Sequence, residues 1–109
     1  NYTDQYIKKS IQYIEKHYSR NITILEIADY LGLNRSYFST IFKGRMGKSP
    51  QEFLICFRLD RACDLMPNPI LSISDIARSV GYTDPLCFSK VFKKFKGMSP
   101  RKYREKITS

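Results

Sequence analysis

Residues that usually carry enzymatic or metal chemistry are scarce in this chain. His17 is the only histidine, and most metal centres and acid–base sites rely on histidine. The cysteines Cys56, Cys63 and Cys87 are odd in number and lack CxxC spacing, which argues against a disulfide framework or a zinc site. We interpret them as reduced thiols packed like small apolar side chains, as in a cytoplasmic protein. The sequence therefore predicts no enzyme, no metal and no other cofactor.

Fixed positive charge is the chemistry that the chain offers in quantity. Its 109 residues include 19 Lys and Arg against 10 Asp and Glu, a net charge of +9. Such an excess repels itself in a small domain unless the partner is a polyanion, most commonly nucleic acid. An anionic membrane surface is the alternative, but no apolar run could span a bilayer and no signal peptide opens the chain. We therefore expect a nucleic-acid partner and no membrane.

The sequence contains one segment twice. TILEIADYLGLNRSYFSTIFKGRMGKSPQEF begins at residue 23, and SISDIARSVGYTDPLCFSKVFKKFKGMSPRKY begins at residue 72. Gly32 matches Gly81 at an offset of 49 (81 − 32), whereas Phe42 matches Phe92 at an offset of 50 (92 − 42). The difference predicts one inserted residue between Gly81 and Phe88, at the front of the later helix of the second copy.

Each copy is predicted to form a helix, a tight turn and a second helix. A capping box is expected at the first helix of each copy, from Thr23 with Glu26 and from Ser72 with Asp75. A glycine that tolerates the left-handed conformation then ends that helix. Apolar residues at helical spacing supply the buried faces, namely Ile24, Ile27, Ala28, Leu31, Phe38, Ile41 and Phe42 in the first copy and Ile73, Ile76, Ala77, Val80, Phe88, Val91 and Phe92 in the second.

Three more helices are predicted around the two copies. An amphipathic helix carrying Ile7, Ile11, Ile14 and Tyr18 comes first, and a short basic helix from Pro100 to Lys106 comes last. A long helix from Pro50 to Met66 joins the copies. We therefore predict an all-α fold of about seven helices, with helix-turn-helix subdomains at residues 1–49 and 68–109 and a linker helix at residues 50–67.

These patterns resemble a known family. IADYLGLNRSYFSTIFKGRMGKSP, FRLDRA and SISDIARSVGYTDPLCFSKVFKKFKGMSPRKYR are similar to the DNA-binding domain of AraC/XylS-type bacterial transcription regulators over nearly the whole chain. The resemblance implies double-stranded DNA as partner, with the later helix of each copy in a major groove of a long asymmetric promoter site, and contact with RNA polymerase. Many members carry a separate sensor or dimerisation domain. Because the chain starts at Asn1 without Met, we expect a piece of a longer protein, with a small stand-alone member as the alternative.

The later helix of each copy should present its non-buried face to base edges. Asn34 is expected to cap the first of these helices, and Thr83 the second, whose first turn holds Asp84. The resemblance implies base contacts at Ser36, Ser39 and Thr40, and Lys90 stands where members often place a long basic base reader. The predicted base contacts are Arg35, Ser36, Ser39, Thr40, Pro85, Leu86, Cys87, Ser89 and Lys90.

Two of these assignments have alternatives. Arg35 can reach guanine or hold a phosphate. Cys87, where family members often have an aromatic residue, can join Leu86 on thymine methyl groups or pack on its own neighbours. The apolar face suggests that the second copy depends more on shape and methyl groups than on hydrogen bonds.

Phosphate contacts are expected from helix N-termini and from basic side chains. For any single Lys or Arg, a solvated surface charge is the alternative. Arg58 and Asp60, midway along the linker helix, are expected to form structural ion pairs rather than DNA contacts. The predicted phosphate contacts are Thr23, Tyr37, Lys43, Arg45, Lys48, Ser72, Lys93, Lys94, Arg101 and Arg104.

Two other classes of function compete with this prediction. A helical protein-interaction module with an acidic partner would bind DNA weakly and without sequence preference, but it leaves the duplicated pattern unexplained. Some repair proteins that accept methyl groups on cysteine carry a domain of this family. No cysteine here lies among polar partners that would lower a thiol pKa, which argues against that enzyme.

Overall fold

The structure, a computed structural model, describes residues 1–109 and consists of seven α-helices without a strand. The predicted all-α fold is therefore confirmed. Two compact units, residues 1–57 and residues 58–109, divide the chain, and the fourth helix contributes to both. None of the helices combines the length and apolar character that crossing a bilayer requires. In chain order the helices are α1 (Tyr2–His17), α2 (Ile24–Leu31), α3 (Arg35–Met46), α4 (Pro50–Leu65), α5 (Ile73–Ser79), α6 (Pro85–Lys96) and α7 (Pro100–Thr108).

The first unit is built on the apolar faces of its helices. Ile7 and Ile14 lie two turns apart on α1, and both are buried in a unit where α1 packs against α2 and α3. Burying one side chain of this size stabilises a fold by about 1.5–3 kcal/mol. The core therefore holds α3 against α1 and α2. Its buried members are Ile7, Ile14, Ile22, Ile27, Ala28, Phe38, Phe42 and Leu54.

The second unit uses the C-terminal half of α4 as part of its core. Leu59 and Ala62 on this helix are fully buried, and so is Met66 directly after it. Helix α5 packs against α6, and α7 packs against α6 as well. The other buried apolar side chains are Ile76, Ala77, Val80, Phe88 and Phe92.

Both copies of the repeated segment are packed in the same way. Over residues 38–50 and 88–100, every matching pair of residues is alike in being exposed, half-buried or buried. The ring contacts repeat too, and such pairs stabilise by about 0.5–1.5 kcal/mol beyond their buried area. The repeat in the sequence is therefore a repeat of packing. The centroid distances are 5.7 Å for Phe38–Phe42, 5.5 Å for Phe42–Phe53, 5.6 Å for Phe88–Phe92 and 5.5 Å for Phe92–Tyr103.

Of the two capping boxes predicted, only the second is complete. At α5 the Ser72 side chain accepts from the Asp75 amide, and the Asp75 carboxylate accepts from the Ser72 amide. At α2, Thr23 accepts from the Glu26 amide at 3.1 Å, but the Glu26 carboxylate does not turn back to the cap. It lies 2.9 Å from the Arg20 guanidinium instead. A charged partner within reach thus replaces the second half of the box.

The prediction that Thr83 caps the later helix of the second copy is wrong, because the turn before that helix is one residue longer. Helix α6 begins at Pro85, and Asp84 rather than Thr83 caps it, by accepting from the Leu86 amide at 3.0 Å. Proline suits the first helical position because it needs no N–H partner there, and this makes the preceding residue the cap. The inserted residue therefore lies in the turn after Gly81, whose φ is +102°, and not at the front of α6. As a result α3 and α6 both have 12 residues.

Candidate nucleic-acid interface

The outward face of α3 carries the base-contact candidates of the first unit. Asn34 determines where the helix starts, since its Oδ1 accepts from the amides of Ser36 and Tyr37 at 2.8 Å and 3.2 Å. Phe38 and Phe42 are fully buried, so the helical period turns the other side outward. The candidates on this face are Arg35, Ser36 and Thr40, which are exposed, and Ser39, which is half-buried.

A cleft of about 250 Å³ opens beside this face. It is lined by Arg35 and Ser39 together with the N-terminal ends of α2 and α4. Ser49 caps α4 by accepting from the Glu52 amide at 3.1 Å. Helix N-termini carry partial positive charge, so two of them beside a guanidinium favour an anion. The sequence predicted a phosphate contact at Thr23, which caps α2, and a base or phosphate contact at Arg35, but it did not assign the two residues to one cleft. The N-terminus of α4 was not predicted as part of the site. The SPQE pattern at residues 49–52 could have indicated it.

The predicted phosphate-binding groups of the first unit differ in what they contact. Lys43 is exposed and forms no ion pair, and Tyr37 is 51% exposed. Arg45 is also exposed but pairs with Asp4 of α1. Lys48 is half-buried, with its Nζ 4.0 Å from a cysteine sulfur. Two of the four groups are therefore directed to solvent without an ionic partner.

In the second unit, α6 presents a more apolar face than α3. Leu86 is 74% exposed and Cys87 is exposed too, although neither side chain gains from contact with water. The exposure of Cys87 gives no support to the alternative that it packs on its neighbours. Lys90 follows Leu86 by one helical turn and is exposed, whereas Pro85 and Ser89 are half-buried.

Three predicted phosphate-binding cations of the second unit are exposed. Lys93 is exposed and forms no ion pair. Lys94 is exposed, and its Nζ lies 5.6 Å from the centroid of the Phe95 ring. Arg101 is 89% exposed and lies 3.8 Å from Glu105, a separation at which an exposed pair contributes little. All three cations remain available to a phosphate.

Arg104 differs from the three cations above because it donates hydrogen bonds to backbone carbonyls. Its Nε donates to the carbonyl of Met66 at 3.0 Å, and its terminal nitrogen donates to the carbonyl of Asn68 at 3.3 Å. These bonds tie α7 to the segment after α4. Its phosphate contact stays a prediction. Ser72, the other candidate nearby, is exposed at the start of α5.

The two charged residues midway along α4 also have partners in the second unit. Asp60 forms the predicted ion pair, with its Oδ1 2.7 Å from Lys96 Nζ. Arg58 is only 7% exposed, and its guanidinium lies 5.5 Å from the centroid of the Tyr82 ring. Burial lowers the pKa of the Arg58 guanidinium, while the tyrosine beside it acts in the opposite direction. Both residues therefore serve the packing of this unit.

Carboxylates at two helix starts are held in their charged form. The Tyr13 hydroxyl, and after it Arg20, lower the pKa of Glu26 on α2. Hydrogen bonds from Ser72 lower the pKa of Asp75 on α5. A negative charge at a helix N-terminus opposes the positive end of the helix dipole and stabilises it. No group of three or more His, Cys, Asp or Glu side chains could hold a metal ion.

Comparison with known proteins agrees with this arrangement. A helix-turn-helix domain family matches residues 27–106. The raffinose operon transcriptional regulatory protein RafR of Pediococcus pentosaceus is 40% identical over 98 residues, which are 90% of this chain and 35% of that protein. The Msm operon regulatory protein of Streptococcus mutans is 38% identical over 105 residues, 96% of this chain and 38% of that protein. The chain thus spans little more than a third of the length of these relatives.

Solved structures show the same fold. The C-terminal domain of AraT, a response regulator from Geobacillus stearothermophilus, gives a TM-score of 0.89 at 34% identity, over 93% of this chain and 84% of that one. The DNA-binding domain of AdpA, in complex with a target DNA, gives 0.85 at 22% identity, over 91% and 89%, which is a likeness of fold. RafR and the Msm operon regulatory protein are operon regulators and not enzymes. The chain belongs to the AraC/XylS family, as a helix-turn-helix DNA-binding domain of a bacterial transcription regulator.

Proposed function

We propose that α3 and α6 are two recognition helices that read adjacent major-groove segments of one asymmetric promoter site. The observation that carries this proposal is that the two helices have equal lengths and matching burial at eleven of their twelve positions, but different outward side chains. One chain then presents two unlike readers, which suits a site that is not palindromic. Such segments lie about one turn of DNA apart, roughly 34 Å or 10 base pairs. Residues 50–67 act as the linker between subdomains at residues 1–49 and 68–109.

The first unit makes base contacts through Ser36, Ser39 and Thr40. Hydroxyl groups bond several base edges, so these contacts discriminate weakly. The Thr40 hydroxyl already donates to the Ser36 carbonyl at 2.9 Å, which leaves its oxygen to accept from a base. Arg35 borders the cleft between two helix N-termini, and this position favours a phosphate over guanine as its partner.

The second unit contributes most of the base preference. Lys90 is exposed on the outward face of α6 and can reach O6 and N7 of guanine. Leu86 and Cys87, both exposed, fit against thymine methyl groups. Pro85 and Ser89 border the same face. Binding of DNA over this face would remove its exposed apolar side chains from water, which explains why they are exposed in the free domain.

Phosphate contacts orient both units on the duplex. In the first unit they come from Lys43, Tyr37 and the amides that Thr23 leaves exposed at the start of α2. In the second they come from Lys93, Lys94, Arg101 and the start of α5 at Ser72. Support is weaker for the remaining three candidates, because each already contacts a protein group: Arg45, Lys48 and Arg104.

The complete protein is proposed to be a longer cytoplasmic regulator. The relatives are about three times as long as the matched region, which leaves room for a sensor or dimerisation domain. RNA polymerase is the expected protein partner at the promoter.

Selection from a random duplex pool tests the proposal. We expect an enriched asymmetric site with two blocks about one turn apart, and a dissociation constant for that site that rises steeply with salt. Footprinting of variants with Lys90→Ala in α6 or Ser39→Ala in α3 then assigns each block to one unit. Binding without enrichment would contradict sequence-specific recognition by this domain. Absence of binding would favour a protein-interaction module instead.

A further inference from the structure

Each proposed recognition helix has one cation near its C-terminal end that is held by a carboxylate from another helix. In the first unit, Arg45 of α3 pairs with Asp4 of α1. In the second unit, Lys96 of α6 pairs with Asp60 of α4, with 2.7 Å between Nζ and Oδ1. These cations do not occupy matching positions, because Arg45 corresponds to Phe95 in the repeat. Duplication of the segment therefore does not explain why the arrangement occurs twice.

The same two helices also carry a cation that no carboxylate holds. Lys43 and Lys93 match in the repeat, are exposed and form no ion pair. With 19 basic residues against 10 acidic ones, about half of the cations must lack an acidic partner. Two of the few carboxylates nevertheless pair with cations of the helices proposed to enter DNA. Each helix thus carries one paired cation besides cations without an ion pair.

We propose that Asp4 and Asp60 limit the sequence-independent part of DNA binding, by withholding Arg45 and Lys96 from phosphates. The inference rests on the proposed function. A cation that contacts a DNA phosphate releases counterions from the duplex, and this raises the affinity for DNA of any sequence. A paired cation must leave its carboxylate before it can bind a phosphate, and the carboxylate itself repels the duplex. When fewer phosphates are contacted, base contacts account for a larger share of the free energy of DNA binding.

Matched neutral variants test this inference. Asp4→Asn removes the ion pair of Arg45, and Asp60→Asn removes the ion pair of Lys96 with Asp60. Asp29→Asn in the first unit and Asp64→Asn in the second change the charge equally, but Asp29 forms no ion pair and Asp64 pairs with Arg61 along its own helix. The dissociation constant of each chain is measured on one random-sequence duplex over a range of salt, after circular dichroism has verified folding.

We expect Asp4→Asn and Asp60→Asn to tighten binding about two- to fivefold beyond their controls, since exposed pairs are weak. The slope of log K against log salt should steepen by about one contact. Adding Arg45→Gln to Asp4→Asn should remove the gain, whereas Arg45→Gln alone should change little.

Gains equal to those of Asp29→Asn and Asp64→Asn would show a general charge effect and overturn the inference. Weaker binding by Asp4→Asn would overturn it as well, because the carboxylate would then position Arg45 for DNA. If the unchanged chain shows no salt-dependent duplex binding, the proposed function itself fails and this inference fails with it.

Discussion

Ser72 and Asp75 cap each other at the start of α5. The Ser72 amide donates to Asp75 Oδ2 over 2.9 Å, and the Asp75 amide donates to Ser72 Oγ over 3.0 Å. These bonds, with Arg78 as a further contributor, lower the pKa of Asp75 below its ordinary value of 3.8. A carboxyl whose pKa is lower in the folded state than in the unfolded state contributes its full stabilisation at any pH above the unfolded-state pKa. That stabilisation is lost as the pH falls below 3.8 and through the folded pKa.

Asp75→Asn should therefore reduce the acid sensitivity of the fold. We expect the variant to have a lower Tm at neutral pH, and to lose less Tm than the unchanged chain between about pH 5 and pH 2.5. Thermal unfolding followed by circular dichroism across this range measures both effects. Asp29→Asn serves as control, since Asp29 is exposed and unpaired. An unaltered acid-induced fall in Tm would contradict the role assigned to the cap.

Gly32→Ala and Gly44→Ala should change stability in opposite directions. Gly32 has a φ of +72° after α2, whereas Gly44 lies within α3, and an added Cβ meets nothing within 4 Å at either position. Only the backbone conformation therefore distinguishes them. We expect Gly32→Ala to cost about 1–2 kcal/mol and Gly44→Ala to stabilise by roughly 0.5–1 kcal/mol, measured by urea unfolding. Changes of the same sign would show that another interaction dominates.

Phe38→Ala and Phe88→Ala should destabilise their units by similar amounts. Both side chains are fully buried, and each contacts the ring four residues later at almost the same distance. A cavity left by a phenylalanine costs about 3–5 kcal/mol. Urea unfolding of the two variants provides the comparison. A difference above about 2 kcal/mol would mean that the equal burial conceals unequal packing.

Lys90→Ala and Lys94→Ala should separate base contact from phosphate contact. We expect Lys90→Ala to relax the preference at one or two base pairs and to cost roughly 1–3 kcal/mol on the selected site. Lys94→Ala should weaken all duplexes alike and reduce the salt slope by about one. Titrations on the selected and the random duplex distinguish these effects. Equal losses on both duplexes for both variants would refute the assignment of roles on α6.

Local patterns in the sequence were sufficient to predict the seven helices, the duplication and the buried faces. The apolar period that buries Phe38 and Phe42 also buries Phe88 and Phe92, because one helical turn brings residues three and four apart onto one side. Caps such as Asn34 act on amides two or three residues away, so they too depend on neighbours in the chain. Composition and net charge indicated a polyanion as partner without reference to the fold.

The tertiary structure decided which polar groups are already engaged. The Glu26 carboxylate pairs with Arg20, six residues earlier in the chain, and does not complete the capping box. Lys96 meets Asp60 across 36 residues, and Arg104 reaches the carbonyl of Met66 across 38. No periodicity or spacing signals these contacts, because they form only when packed helices bring distant residues together. The sequence therefore predicted which cations contact DNA, whereas packing determined which of them have a protein partner.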